Sequence, residues 1–262
     1  MTSNSDYHAD PAVSASHLHA VAASPYHYWS RFLAPDRPPS VQTAAMKPGS
    51  LTHCAVLEPD QLASRYGIAP DRRTNAGKAA VAAMEAAGIE AVTAPEMEQA
   101  MAMAASVRSH QAAAALLRDG KAEQSFWFDD IATGLRCKCR PDWYTGNTIV
   151  DLKTTVDASP KGFAKSVAQW RYHVQQSHYL AGTFAERFVF IAVEKSYPYA
   201  VGVYELDADA VQFGDYERRN NLQTIADCRA ISEWPGYGNT IQPLSLPKWA
   251  LNANPTITSD DF

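Results

Sequence analysis

One short stretch, CRPDWYTGNTIVDLKTT (Cys139 to Thr155), has residue types and spacing suited to metal-assisted chemistry. A Pro141-Asp142 pair ends one strand pattern, Thr145-Gly146-Asn147 forms a turn, and the returning apolar strand closes on Asp151-Leu152-Lys153. Residues two apart on a strand share a face, so Asp151 and Lys153 point together while Val150 and Leu152 point to the opposite, packed side. Adjacent strands lie about 4.8 Å apart, which lets Asp142 and Asp151 share one hard cation. Mg²⁺ favours one or two carboxylates, with water and substrate phosphate completing its shell. A lysine beside that cation can orient the attacking water, help lower its pKa, or stabilise charge building on a phosphorane. A bare Asp-x-Lys is most often a surface ion pair between the two side chains. The Pro-Asp at short spacing brings the two readings level.

The elements that must position these residues follow from pattern. Residues 1–13 read as a polar tail, Ser14 to Ala22 as a short helix, and Ser24-Pro25 as the start of another, with Ser at the N-cap and Pro at the first helical position. Tyr26, Tyr28, Trp29 and Phe32 give that helix an aromatic face. Lys47 to Leu57 reads as a helix with His53 among its apolar residues, and Tyr66 to Ala69 as a short strand. An alanine-rich helix over Lys78 to Ala87 is stopped by Gly88, and Thr93-Ala-Pro-Glu96 forms a capping box for a helix running to about Leu117. After Gly120 the texture changes to EQSFWFDD, LRCKCRPDWY and TIVDLKTT, separated by turn signals, which predicts a three-stranded meander. A long helix from Ser159-Pro160 to about Ala185, strands at ERFVFIAVEKS and AVGVYELD, and a last helix over Ala208 to Ile231 complete the pattern. The order predicts an α/β fold with a central mixed sheet flanked by helices and a helical N-terminal part. The domain is expected over residues 14–240, followed by an irregular Pro-rich tail over 241–262.

Composition narrows the class. A chain of 262 residues with 46% hydrophobic content can bury one sizeable core. No apolar run reaches the ~18 residues of a membrane span and the N-terminus is polar, so a cytoplasmic protein is expected. The four cysteines lack the spacing of a disulfide scaffold, and Cys137-x-Cys139 is half of a zinc site without a second half. A formal net charge of −5 does not advertise nucleic-acid binding. Local basic tracks beside acidic metal ligands could nonetheless offset in that sum.

Pro141-Asp142 with Asp151-x-Lys153 resembles the signature of the PD-(D/E)xK nucleases. GSLTHCAVLEP resembles the helix that brings a histidine metal ligand in the RecB-like branch, and Gln175-x-x-x-Tyr179 resembles that branch's Q-x-x-x-Y motif. RCKCRPDW, VDLKTT and WRYHVQQSHY together are most similar to the RecE-like exodeoxyribonuclease VIII nuclease domain, over about Ser14 to Tyr237. That resemblance implies a Mg²⁺-dependent 5′-to-3′ exonuclease on linear double-stranded DNA. It would leave 3′ tails for a RecT-like annealing partner and work as a toroidal homo-oligomer, with a tetramer favoured. It also implies roles for residues. Asp142, Asp151, the Leu152 carbonyl and His53 would hold metal. Lys153 would activate water, Gln175 would touch the water or a phosphate oxygen, and Tyr179 would pack behind it. Glu123 would hold a second cation or a water, or lie exposed at a strand start. An imidazole among oxygen ligands tolerates Mn²⁺, so Mn²⁺ is expected to support activity. Arg171 and Tyr172 are candidates for DNA contact, Lys161, Lys165 and Lys195 for a phosphate track, and Arg31 for a 5′-phosphate anchor. The acidic C-terminal TITSDDF is either a partner-docking tail or a plain chain end. Two other readings stay open. One is a RecB-like or Cas4-like nuclease of other polarity, against which the cysteine spacing speaks in the Cas4-like case. The other is a catalytically silent DNA-end-binding protein on the same fold.

Overall fold

The computed structural model describes residues 4–38 and 47–247. The chain opens with α1 (Asn4–Ala9), α2 (Ala15–Ala23) and α3 (Pro25–Phe32). The tail expected over residues 1–13 is thus corrected from Asn4 onward. Tyr7 is buried, the Lys138 ammonium donates to the Tyr7 and Asp10 carbonyls, and Val13 bridges Cys137. An amphipathic tyrosine and two buried cations, Lys138 and Arg140, hold this segment down. Ser24 caps α3 by accepting the His27 N–H, as its Ser-Pro start predicts.

Next come α4 (Lys47–Leu57), α5 (Leu62–Arg65), β1 (Tyr66–Ile68), α6 (Asn75–Ala86) and β2 (Glu90–Val92). β1 and β2 pair in parallel as a small separate sheet. α7 (Ala94–Ser109) starts at the expected capping box, with the Glu96 carboxylate accepting the Thr93 N–H at 2.7 Å. The helix expected through Leu117 breaks at His110. That residue turns extended and accepts the Ala113 N–H to cap α8 (Gln111–Leu116).

β3 (Lys121–Ala122), β4 (Phe126–Asp129), β5 (Arg136–Cys139), β6 (Trp143–Tyr144) and β7 (Thr148–Thr155) replace the expected single meander. β4 and β5 form their own hairpin, and the chain leaves it at Arg140-Pro141-Asp142. Proline has no N–H for a ladder, so the pairing ends there and the chain changes sheet. The main sheet has five strands in the order β3-β6-β7-β8-β9, with β8 (Arg187–Glu194) parallel to β7 and β9 (Val201–Tyr204) antiparallel at the edge. The crossover from β7 to β8 is two helices, α9 (Pro160–Trp170) and α10 (Tyr172–Ala181), instead of the one expected. Arg171 between them takes a left-handed φ of 56°. The last helix, α11 (Ala208–Ile231), matches its predicted bounds.

The sheet divides the core. Val150, Leu152, Ile191 and Val193 face Ala55, Met103 and Val107 of α4 and α7. Ile149, Phe188, Phe190 and Ala192 face Phe163 and Val167 of α9. A third cluster joins α2 and α3 to α11 through Leu18, Tyr28, Leu222 and Ile225. α10 and α11 approach closely at Gly214, where an added Cβ would lie 2.3 Å from the His173 carbonyl oxygen.

Candidate metal and active site

Trp143 pairs with Val150, which puts Asp142 opposite Asp151 across β6 and β7. Asp142 Oδ2 accepts the Leu152 N–H at 2.8 Å, so a side chain takes over where the ladder stops. The Leu152 carbonyl leaves the strand on the side of its own N–H, toward the same carboxylate. Asp151 is wholly buried. Its Oδ2 forms an ion pair with Lys153 Nζ at 2.5 Å, and its Oδ1 accepts from Gln175 Nε2 at 2.7 Å. Apart from Lys153, that Oδ2 has no partner among the described residues.

Three other groups converge beside this pair. His53 on α4, Glu123 just after β3, and Asp142 place ligand atoms within 4.8 Å of one another. His53 Nδ1 is 3.5 Å from Asp142 Oδ2. Glu123 adopts a left-handed φ of 53°, and its N–H donates to the Asp142 carbonyl at 3.1 Å. Such backbone is rare for a residue with a Cβ and persists only where its surroundings fix it.

Burial and crowding disturb every charge here. Glu123 is pushed up to about 8, first by burial and then by the Asp142 carboxylate. Burial raises Asp142, partly offset by Lys153 and the Leu152 N–H. Burial likewise lifts Asp151 to about 6 against the pull of Lys153. His53 falls to about 4 through burial and the Lys153 charge. Burial works against the Lys153 ammonium, yet Asp151 and Asp142 hold its pKa above the ordinary lysine value. A divalent cation bound here would offset the burial that raises these acids.

The donor set fits a divalent cation. An octahedral Mg²⁺ with ligands at about 2.0–2.1 Å holds its donor atoms roughly 3–4 Å apart, the scale of the His53, Glu123 and Asp142 group. One imidazole among oxygens also suits Mn²⁺. Of the two carboxylates expected to share a cation, Asp142 belongs to this group and Asp151 lies opposite it on β7. Asp151 lies outside the three-residue group and turns its oxygens to Lys153 and Gln175.

The other predicted residues fall elsewhere. Arg171 Nη1 pairs with Glu217 at 3.1 Å, and its Nε and Nη2 are buried, so the guanidinium faces α11. The Tyr172 ring lies under Lys153, and Tyr179 packs against Phe188 in the aromatic core. These three are engaged inside the fold. Lys161 and Lys165 are exposed on α9, Lys195 is half-buried after β8, and Arg31 is exposed on α3 over the Phe32 ring. The TITSDDF segment lies outside the described residues. The sequence reading did not find the link from Tyr172 to Lys153. The available signal was its position three residues before Gln175, on one helix face.

Comparison with known proteins agrees with this fold. The crystal structure named "Putative exonuclease" from Eubacterium rectale is similar, with a TM-score of 0.65 at 14% identity, covering 97% of this chain and 98% of that one. At that identity the likeness is one of fold, a mixed sheet flanked by helices. No curated protein matches the chain. The match that identifies the family spans residues 14–246, and the chain therefore belongs to the family described as the PDDEXK-like domain of unknown function (DUF3799).

Proposed function

We propose that the protein is a Mg²⁺-dependent exodeoxyribonuclease that degrades one strand of linear duplex DNA from its 5′ end. The observation that carries the catalytic reading is the split of the buried Asp151 carboxylate between Lys153 and Gln175, beside the His53, Glu123 and Asp142 group. His53, Glu123, Asp142 and the Leu152 carbonyl would hold the cation. When bound, it supplies Lewis-acid polarisation and charge neutralisation at a phosphoryl oxygen. The Lys153 ammonium orients the attacking water and offsets charge developing on phosphorus. Gln175 fixes the Asp151 rotamer, and Asp151 in turn aims Lys153. The 5′ polarity, the 3′ tails for a RecT-like annealing partner and a toroidal tetramer extend this reading from the RecE-like resemblance. In that assembly Lys161, Lys165, Lys195 and Arg31 would form the phosphate track.

Cleavage of linear against closed circular duplex tests the proposal, with Mg²⁺ or chelator. Linear DNA is expected to be degraded only with metal, and circles are expected to survive. Asp151→Asn and Lys153→Ala are expected to bind ends without cutting. Retained cleavage in both variants would remove the assignment.

A further inference from the structure

Tyr172 stands at the first position of α10, directly after the left-handed corner at Arg171. The Lys153 Nζ lies 4.6 Å from its ring centroid, within the range in which an ammonium is drawn to an aromatic face. The ring is itself held. Phe190 stacks against it at 6.0 Å and 28°, Phe163 tilts against it at 6.2 Å, and both phenylalanines are buried. The residues on either side share one carboxylate of α11. Arg171 Nη1 reaches Glu217 Oε1 at 3.1 Å, and His173 Nε2 reaches Glu217 Oε2 at 2.6 Å. Three residues on, Gln175 holds Asp151 Oδ1 at 2.7 Å. One turn of α10 therefore grips both members of the Asp151–Lys153 pair, the carboxylate by an amide and the ammonium by a ring face.

A lysine has a flexible four-carbon stem, and one anchor fixes its head poorly. Asp151 supplies the first anchor and the Tyr172 face the second. We propose that Tyr172 is a positioning residue for Lys153, acting through its ring face and not its hydroxyl. The contact stands on geometry alone, while its effect on rate rests on the nuclease reading above.

Two measurements separate these. In protein carrying lysine labelled with ¹³C at Cε, one ε-methylene signal is expected upfield of the rest through the ring current. It should vanish in Lys153→Ala, persist in Tyr172→Phe and vanish in Tyr172→Leu. Second, position 172 is filled with phenylalanine bearing zero to three ring fluorines, which drain the face of negative potential at nearly constant shape. Tyr172→Phe should keep the full kcat. The series should then lower kcat stepwise by about 10-fold in all, with KM and metal affinity unchanged. A ring that served packing alone would give a flat series. Absence of the shifted signal, or a flat series in an active enzyme, overturns the proposal. A shifted signal in a protein that cuts no DNA overturns the nuclease reading instead and establishes the contact.

Discussion

Asp151 has no exposed surface, and its carboxylate is held by Lys153 and Gln175. Asp151→Asn and Lys153→Ala should each lower cleavage on the order of a thousandfold, because Lys153 carries the charge aimed at the reacting phosphate and the Asp151 carboxylate holds it there. Gln175→Ala should cost less, roughly 10- to 100-fold in kcat, since it frees the Asp151 rotamer without removing a charge. Single-turnover rates on one duplex check both. Glu123, raised to about 8, carries a proton at neutral pH that a cation must displace. Metal affinity should therefore climb with pH to about 8 and level off above it. Calorimetry in buffers of different ionisation enthalpy should show proton release near pH 7, and Glu123→Gln should abolish it. At this scale the strand-borne residues were legible, because period-2 alternation fixes the face that Asp151 and Lys153 share. Glu123 was only half legible. Its inward turn depends on a left-handed backbone that no glycine announced.

The elements were legible where local chemistry decides them. The Thr93 capping box, the Ser24-Pro25 start and the bounds of α11 all follow from nearby residues. They were misread where tertiary contacts decide. Nothing between Lys165 and Ala181 breaks a helix by propensity, yet Arg171 turns left-handed because Glu217 holds it and Gly214 admits α11 against His173. The separate β4–β5 hairpin likewise depends on α1 and Val13 docking against β5. Arg218 on α11 ties these parts together. It is buried, with Nη1 3.1 Å from Asp130 Oδ2, Nη2 3.2 Å from Asp215 Oδ1, and Nε donating to Ser177 Oγ. Removing one member of a buried pair strands the other's charge, so Arg218→Ala should cost roughly 3–5 kcal/mol. Urea unfolding should show this as a lower midpoint at unchanged slope.

The whole molecule carries a built-in acid sensitivity. His178 is wholly buried, its Nε2 lies 3.1 Å from the Lys138 carbonyl oxygen, and burial lowers its pKa to about 4. His17, also buried, is lowered to about 3. Between those values and the unfolded value of about 6.5, the unfolded chain binds more protons than the folded one. The stability that these two histidines contribute is complete above about pH 6.5 and declines as pH falls toward 4, with His178 accounting for roughly 3 kcal/mol of that loss, while the raised Glu123 and Asp151 pull the other way. His178→Gln should flatten that part of the urea-midpoint profile. At this scale the fold class was legible, because strand and helix signals alternate in an order that few architectures satisfy. Exposed residues such as Phe213 and Tyr216 do not by themselves name a partner. The most direct test of the central claim uses linear duplex DNA labelled at one 5′ or one 3′ end, with Mg²⁺ or with chelator. Immediate release of the 5′-labelled mononucleotide, only with Mg²⁺ and absent in Asp151→Asn, is the predicted result. No release under either condition, or prompt release from the 3′ end, would contradict it.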